Sequence, residues 1–322
     1  MTPAVDDVIA WLLAGDPSIE WQTRRDLLGH APADWQPVRA RVESEGFGAA
    51  LLAQQRPDGL WGGAGYFPDG FTRELFDQEG QPWTTTAHVL SDLWELGLDP
   101  ASESARRTVD LVGRNGRWDA GDLPYWEGET EECINGQAVG YGSYFGVDMS
   151  RLVERLLTEQ QDDGGWNCER PNGSVRGSFH STISVVEGLL EFERAGRGSQ
   201  ASRAARARGE EYLLERRLFK RLSTGAPADE DFLKLTHPNR WYYDALRGLD
   251  HFRAAGELTG IRPDGRLGEA LTWLESRRGT DGRWPLDIRP RGRAWIEVDD
   301  GPGRPSRWLT LRALRVLAWA RS

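Results

Sequence analysis

Gln160-Gln161-Asp162-Asp163-Gly164-Gly165-Trp166 closes one helix-like stretch and precedes another. The same turn recurs as Gln55-Arg56-Pro57-Asp58-Gly59-Leu60-Trp61 and as Arg278-Gly279-Thr280-Asp281-Gly282-Arg283-Trp284, with a weaker copy at Asn115-Gly116-Arg117-Trp118. An element repeated at intervals of tens of residues marks an array of similar supersecondary units. In each copy Gly permits the positive φ that ends a helix, Asp caps the turn, and Trp plugs the gap between neighbouring hairpins. Leu222-Ser223-Thr224-Gly225 falls where a fifth copy is due, although it lacks the Trp.

Around these turns helical periodicity dominates and strand-like alternation is scarce. After Ser178, a good N-cap, Phe179, Ile183, Val186, Leu189 and Leu190 fall on one face. A second such helix opens at Pro238 with Tyr242, Ala245, Leu246, Leu249 and Phe252 as its stripe, and Gly256 ends it. A third opens at Pro305-Ser306 and runs through Leu311, Leu314 and Leu317. Others start near Trp83, near Cys133 and near Trp21, the last after Asp16-Pro17-Ser18. Each is preceded by an outer amphipathic helix rich in Arg and Glu, near 3–14, 36–55, 101–114, 147–161, 201–219 and 265–278. Six hairpins closing on themselves predict an all-α fold, an (α/α)6 toroid, as a single domain over 1–322. Three long connectors, Gly62–Pro82, Arg117–Glu131 and Pro285–Arg304, enter inner helices at their N-terminal ends. Long loops in a compact domain are commonly functional, and converging helix N-termini favour anions.

Bulk composition narrows the function classes. The 322 residues carry a formal net charge of −10, which argues against a general nucleic-acid partner. The two cysteines, Cys133 and Cys168, make no disulfide scaffold. Met1 to Ile9 holds Asp6 and Asp7 and has no basic and apolar leader pattern, and no apolar run approaches the length of a membrane span. The expected location is the cytoplasm. Gly-x-Gly-x-x-Gly, Walker and Gly-x-Ser-x-Gly patterns are absent.

Two constellations carry the candidate chemistry. Cys133, Cys168, His180 and His237 belong to three adjacent hairpins of the expected rim. Two thiolates and two imidazoles are a tetrahedral Zn2+ set, and three ligands with an open position make a catalytic zinc. Free Cys is otherwise a small buried hydrophobe and His near a helix start a cap. The second constellation is Arg and aromatic: Arg240 and Trp241 at the fifth inner helix, Arg307 and Trp308 at the sixth, Trp83 at the second, and Tyr125 and Trp126 in the acidic connector. Arg at a helix start suits a phosphate or carboxylate, and aromatic walls suit an apolar ligand. The plainer reading of these tryptophans is packing between hairpins.

The Gln-x-x-Asp-Gly-x-Trp turns resemble the QW repeats of squalene–hopene cyclases and the corresponding turns of protein prenyltransferase β-subunits, over about Asp16 to Trp319. The chain looks like the compact single-domain bacterial members of that terpenoid-cyclase-like group. The resemblance implies the toroid and an apolar or amphiphilic substrate, small molecule or peptide, in its central cavity. Triterpene cyclases carry an Asp-x-Asp-Asp acid, and the nearest stretch here is Glu297-Val298-Asp299-Asp300, with Asp300 and Asp299 as candidate acids. Asp229-Glu230-Asp231 lacks the spacing of a magnesium motif. Prenyltransferases and lanthionine cyclases, which share the toroid, hold zinc at its mouth, but their ligand spacing differs from that of this chain. The expected activity is therefore a zinc-dependent transferase or cyclase, with His237 as fourth ligand or as acid/base. The alternatives are a metal-free cyclase using Asp299 or Asp300, and a non-catalytic peptide- or lipid-binding module.

Overall fold

The three Asp-Gly-x-Trp turns fold to one design. Gly59, Gly164 and Gly282 have φ of 85°, 85° and 77°. The preceding Asp carboxylate accepts from the second residue on, as in Leu60 N–H to Asp58 at 3.0 Å and Gly165 N–H to Asp163 at 3.1 Å. Trp61, Trp166 and Trp284 are fully buried. Each indole N–H donates 2.8 Å to the carbonyl ten residues earlier, on Leu51, Leu156 and Leu274. Each Trp backbone N–H donates to a threonine of a following helix, Thr86, Thr182 or Thr310, at 3.0–3.1 Å. An indole taking on the order of 200 Å² out of water contributes about 5 kcal/mol, so each Trp ties the helix before its turn to a helix after it.

A computed structural model describes residues 5–63 and 65–321; residues 3 and 4 of the helix expected at 3–14 lie outside the described residues. Its α-helices are α1 (Val5–Leu13), α2 (Pro17–Asp26), α3 (Pro32–Ala40), α4 (Gly46–Leu52), α5 (Arg73–Glu79), α6 (Thr86–Leu96), α7 (Glu103–Asn115), α8 (Glu132–Tyr144), α9 (Ser150–Glu159), α10 (Phe179–Arg194), α11 (Gln200–Glu215), α12 (Ala245–Thr259), α13 (Gly268–Ser276) and α14 (Arg307–Ala320). The protein is all-α: among the described residues β-pairing is confined to isolated bridges such as Arg117 with Pro124 and Thr236 with Ile288. No described helix is long and apolar enough to cross a membrane.

The chain divides into two compact units. One holds residues 40–209 with 291–297, and within it α6, α8 and α10 pack side by side. The α8–α10 contact is glycine on glycine, since a Cβ on Gly188 would stand 2.1 Å from the Gly136 carbonyl oxygen. The other unit holds residues 1–39, 210–290 and 298–322, and in it α12, α14 and α2 adjoin. Helix starts follow the expected caps: Ser178 accepts from Ser181 N–H at 3.1 Å and Ser306 from Leu309 N–H at 3.1 Å.

Several expectations are corrected. The outer helix expected at 36–55 is broken, because Gly46 takes φ 63° between α3 and α4. The helix expected at Pro238 begins at Ala245, where Asp244 caps it by accepting from Arg247 N–H at 2.7 Å. It also runs past Gly256, which packs against the Trp319 indole, and ends at Gly260 with φ 73°. Arg240 and Trp241 therefore lie in the preceding turn, with Arg240 at φ 56°. The stretch Asn115–Trp118 is not a copy of the turn: Gly116 has φ −73°, and Trp118 stacks on Tyr125 at 4.6 Å instead of bonding back to its outer helix.

Candidate functional site

Among the described residues one group of donor side chains converges as a metal site would: Glu131, Cys133 and Cys168, with ligand atoms within 4.8 Å of one another. All three belong to the first unit. Glu131 is the N-cap residue of α8 and Cys133 lies in its first turn. Cys168 follows the second turn motif by two residues, so its place is set by the Trp166–Thr182 bond and by Ser178 N–H donating to the Trp166 carbonyl at 2.8 Å. Cys168 N–H and Sγ each meet Ser181 Oγ at 3.3 Å. Cys133 N–H donates to Cys168 Sγ at 3.4 Å, and Cys133 Sγ donates to Glu131 Oε2 at 3.6 Å.

The electrostatics are those of acids crowded together. The hydrogen bond to Cys168 and loss of hydration, with the charges of Cys168 and Glu131, push the Cys133 thiol well above its ordinary range. Desolvation and Glu129 raise Glu131, against the hydrogen bonds from both thiols. Two sulfur donors and a carboxylate drawn this close together are a donor set whose crowding a divalent cation relieves. Two sulfur donors and one carboxylate are a set that could hold a metal ion.

The segments carrying these ligands are clamped by ions. Arg170 Nε donates to buried Glu132 at 2.8 Å and its NH2 reaches Glu159 at 3.3 Å. Arg155 holds Glu159 at 2.9 Å and also donates to the Glu129 and Thr130 carbonyls. Asn135 accepts from Glu129 N–H at 2.7 Å and donates to its carbonyl at 2.9 Å. Glu132 sits between Glu131 and Cys133, and Arg170 two residues after Cys168, so one ion pair joins both arms of the cluster.

Tyr66 is buried with its ring 4.5 Å from His88. Burial first, then the negative charge of Cys133, Glu131 and Cys168, raises its phenol well above the usual range, against a hydrogen bond from Gln81.

His180 and His237 are not in this cluster. On α10 it is Ser181 that meets Cys168, its Oγ 3.3 Å from the Cys168 Sγ. Glu131 takes the place expected of a histidine. His237 belongs to the second unit, where its Nδ1 bonds Asp299 Oδ2 at 2.9 Å with side-chain exposures of 2% and 3%. His237 also stacks on Trp308 at 5.6 Å, and the buried Trp308 indole N–H has no hydrogen-bond partner among the described residues. Arg289 anchors this loop by donating to the Asp299 carbonyl at 2.7 Å. Asp300 is exposed, so the acid candidate that the fold buries is its neighbour Asp299.

The remaining aromatic and arginine candidates are engaged in packing. The Trp83 indole donates to the Arg291 carbonyl at 2.9 Å. Tyr125 is fully buried with its hydroxyl 2.9 Å from that of Tyr141, and the Trp126 indole donates to Val109 at 3.4 Å. Trp241 stacks on Tyr242 at 3.8 Å, and the Arg240 carbonyl accepts from Arg247. Arg307 donates to the Trp11 carbonyl at 3.1 Å and lies over that ring, where it joins α14 to α1.

The sequence reading missed a charged network inside the second unit. Asp250 accepts from Arg253, Arg312 and Arg315 at 2.6, 3.2 and 2.8 Å, Arg312 also donates to Asn239 at 2.7 Å, and Arg315 reaches Gln22 and Asp26. Burial alone would raise Asp250, but the three guanidinium groups outweigh it and hold the carboxylate far below its ordinary range. Asp250 with Arg253, and Arg312 with Arg315, are i,i+3 pairs beside the apolar stripes of α12 and α14; that spacing was the available signal.

In comparisons with known proteins, no family model matches the chain and no curated protein matches it.

Proposed function

We propose that this chain is an enzyme built as an (α/α)6 toroid, a zinc-dependent transferase or cyclase acting on an apolar or amphiphilic substrate. The observation that carries this reading is the convergence of Glu131, Cys133 and Cys168 behind the second Asp-Gly-x-Trp turn. These residues would hold the metal. Zinc in such a set supplies Lewis acidity and lowers the pKa of a thiol or water bound to it. The chain's own groups prepare the place: Cys133 N–H and Ser181 orient Cys168, and Arg170 with Glu132 holds the two arms together.

The test is metal content by elemental analysis of the purified chain. About one zinc per chain is expected, lost in Cys168→Ser and weakened in Glu131→Gln, with helix content unchanged in both. His180→Ala should retain the metal. Protein purified with zinc in the medium that carries none, or variants that bind it as the parent does, would sink the reading.

One observation favours a second reading, metal-free acid catalysis. His237 and Asp299 form a buried pair against the Trp308 ring, an arrangement able to hold and transfer a proton. In that case Asp299→Asn abolishes turnover while Cys168→Ser leaves it intact.

A further inference from the structure

Both cysteines of the chain stand in one place. Their Sγ atoms lie within 4.8 Å of each other. Cys168 Sγ rests against Cys133 itself, accepting from its backbone N–H at 3.4 Å. A disulfide needs the two sulfurs about 2.05 Å apart, so side-chain rotation has to close the remaining gap. The polar contacts that such rotation breaks are long: Cys133 Sγ to Glu131 Oε2 at 3.6 Å, and Cys168 Sγ to Ser181 Oγ at 3.3 Å. The backbones behind the two sulfurs are fixed by shorter bonds. Arg170, on the Cys168 arm, donates at 2.8 Å to Glu132, the neighbour of Cys133. The turn before Cys168 is held by Trp166 N–H donating to Thr182 at 3.0 Å. Folding has therefore already met the entropic cost of bringing these distant positions together. Both side chains are half-buried, so a small reagent in solution reaches them.

We propose that Cys133 and Cys168 are a reversible redox pair, a disulfide-forming modification site whose reactant is a low-molecular-weight disulfide such as that of glutathione. One cysteine thiolate attacks a sulfur of the reagent, the reagent S–S bond breaks, and one reagent thiolate leaves. The other cysteine thiolate then attacks the protein sulfur of this mixed disulfide and releases the second reagent thiolate. The two cysteine protons end on the two departing thiols. The cysteine sulfurs are oxidised by two electrons in all, and the reagent disulfide is reduced by the same two. The pairing itself does not need a metal. Its consequence rests on the metal reading above: a disulfide offers no thiolate, and of the three donors only Glu131 remains for a cation. Oxidation of the pair therefore releases the metal.

The full chain, free of metal, is equilibrated in buffers of stepped reduced-to-oxidised glutathione ratio, quenched in acid, alkylated and weighed by intact mass spectrometry. As the ratio falls, both alkylatable thiols should vanish together, with no glutathione adduct at the midpoint. Cys168→Ser should instead accumulate glutathione on Cys133, because the resolving thiol is gone. The disulfide closes a loop of about 35 residues and should raise the melting temperature of the metal-free chain by about 5 °C. Two thiols that persist in excess glutathione disulfide, a wild type that stops at the mixed disulfide, or an oxidised form that melts below the reduced one overturns the pairing. The zinc-loaded chain given the same oxidant should release zinc in step with disulfide formation, read by a chelating dye; zinc retained after the disulfide has formed overturns the release step. A disulfide that forms in a chain that never takes up zinc sinks the metal reading and leaves the pairing in place. Zinc bound through sulfur in a chain that forms no disulfide does the reverse.

Discussion

Thr182→Val perturbs the link between scaffold and site with almost no change of volume. Thr182 Oγ1 accepts the Trp166 N–H at 3.0 Å and sits 3.4 Å from the Trp166 carbonyl, all of it buried. Valine leaves that N–H without a partner, which costs about 1–3 kcal/mol. For a chain of this size about 2 kcal/mol is a fall of roughly 3 °C in melting temperature. Cys168 lies two residues beyond Trp166, so the released turn should also loosen the metal, by about tenfold as for other supporting partners of a ligand. The same threonine occurs beneath the other two turns, where Trp61 donates to Thr86 at 3.1 Å and Trp284 to Thr310 at 3.0 Å. Thr86→Val and Thr310→Val should therefore show a similar loss of stability with metal affinity unchanged. Thermal melts of metal-free protein and competition against a zinc chelator read the two effects separately. If Thr182→Val holds zinc as tightly as Thr310→Val, the turn does not position Cys168 and the reasoning fails.

Other outcomes follow from single contacts. Gly188→Ala places a Cβ 2.1 Å from the Gly136 carbonyl oxygen, so α8 and α10 must part; an overpacking cost at the upper end of about 1–3 kcal/mol exceeds the roughly 1 kcal/mol that Ala's helix propensity returns, a net loss measured by chemical denaturation. Asp250→Asn strips three guanidinium groups of their shared partner and should cost about 3–5 kcal/mol at neutral pH. The sign follows from its depressed folded pKa: its contribution is present above the ordinary carboxylate range near pH 4 and fades as pH falls toward the folded value. The gap between parent and Asp250→Asn should thus be widest near pH 7 and narrow toward pH 2, and a gap that widens in acid would contradict the network.

The parts of the fold legible in the sequence were those fixed by local chemistry. Asp-Gly-x-Trp supplies a positive φ, a carboxylate cap and a large apolar plug at set spacing, and all three are local. Ser178 and Ser306 announced helix starts for the same reason. Less legible was whatever depends on rotation or on neighbours distant in sequence. Cys133 and Cys168 could be placed together, but the choice of Glu131 over His180 depends on which α10 residue faces the pair, one residue of helix phase. The start of α12 was misplaced because Pro238 permits a helix start, whereas Asp244 makes the cap bond that fixes it. Arg253, Arg312 and Arg315 carry no mark of their role, since a single sequence does not show that one buried Asp250 awaits them. Asp299 outranks Asp300 because successive residues of an extended loop face opposite ways, and His237 marks the buried side.

The central claim concerns a donor set, and X-ray absorption at the zinc edge reads it directly in the purified, metal-loaded chain. The account predicts two sulfur scatterers at about 2.3 Å with the remaining shell of oxygen at about 2.0 Å. One sulfur should disappear in Cys168→Ser, and Glu131→Gln should alter only the light-atom shell. A first shell without sulfur, or one made of imidazole nitrogen, would contradict it.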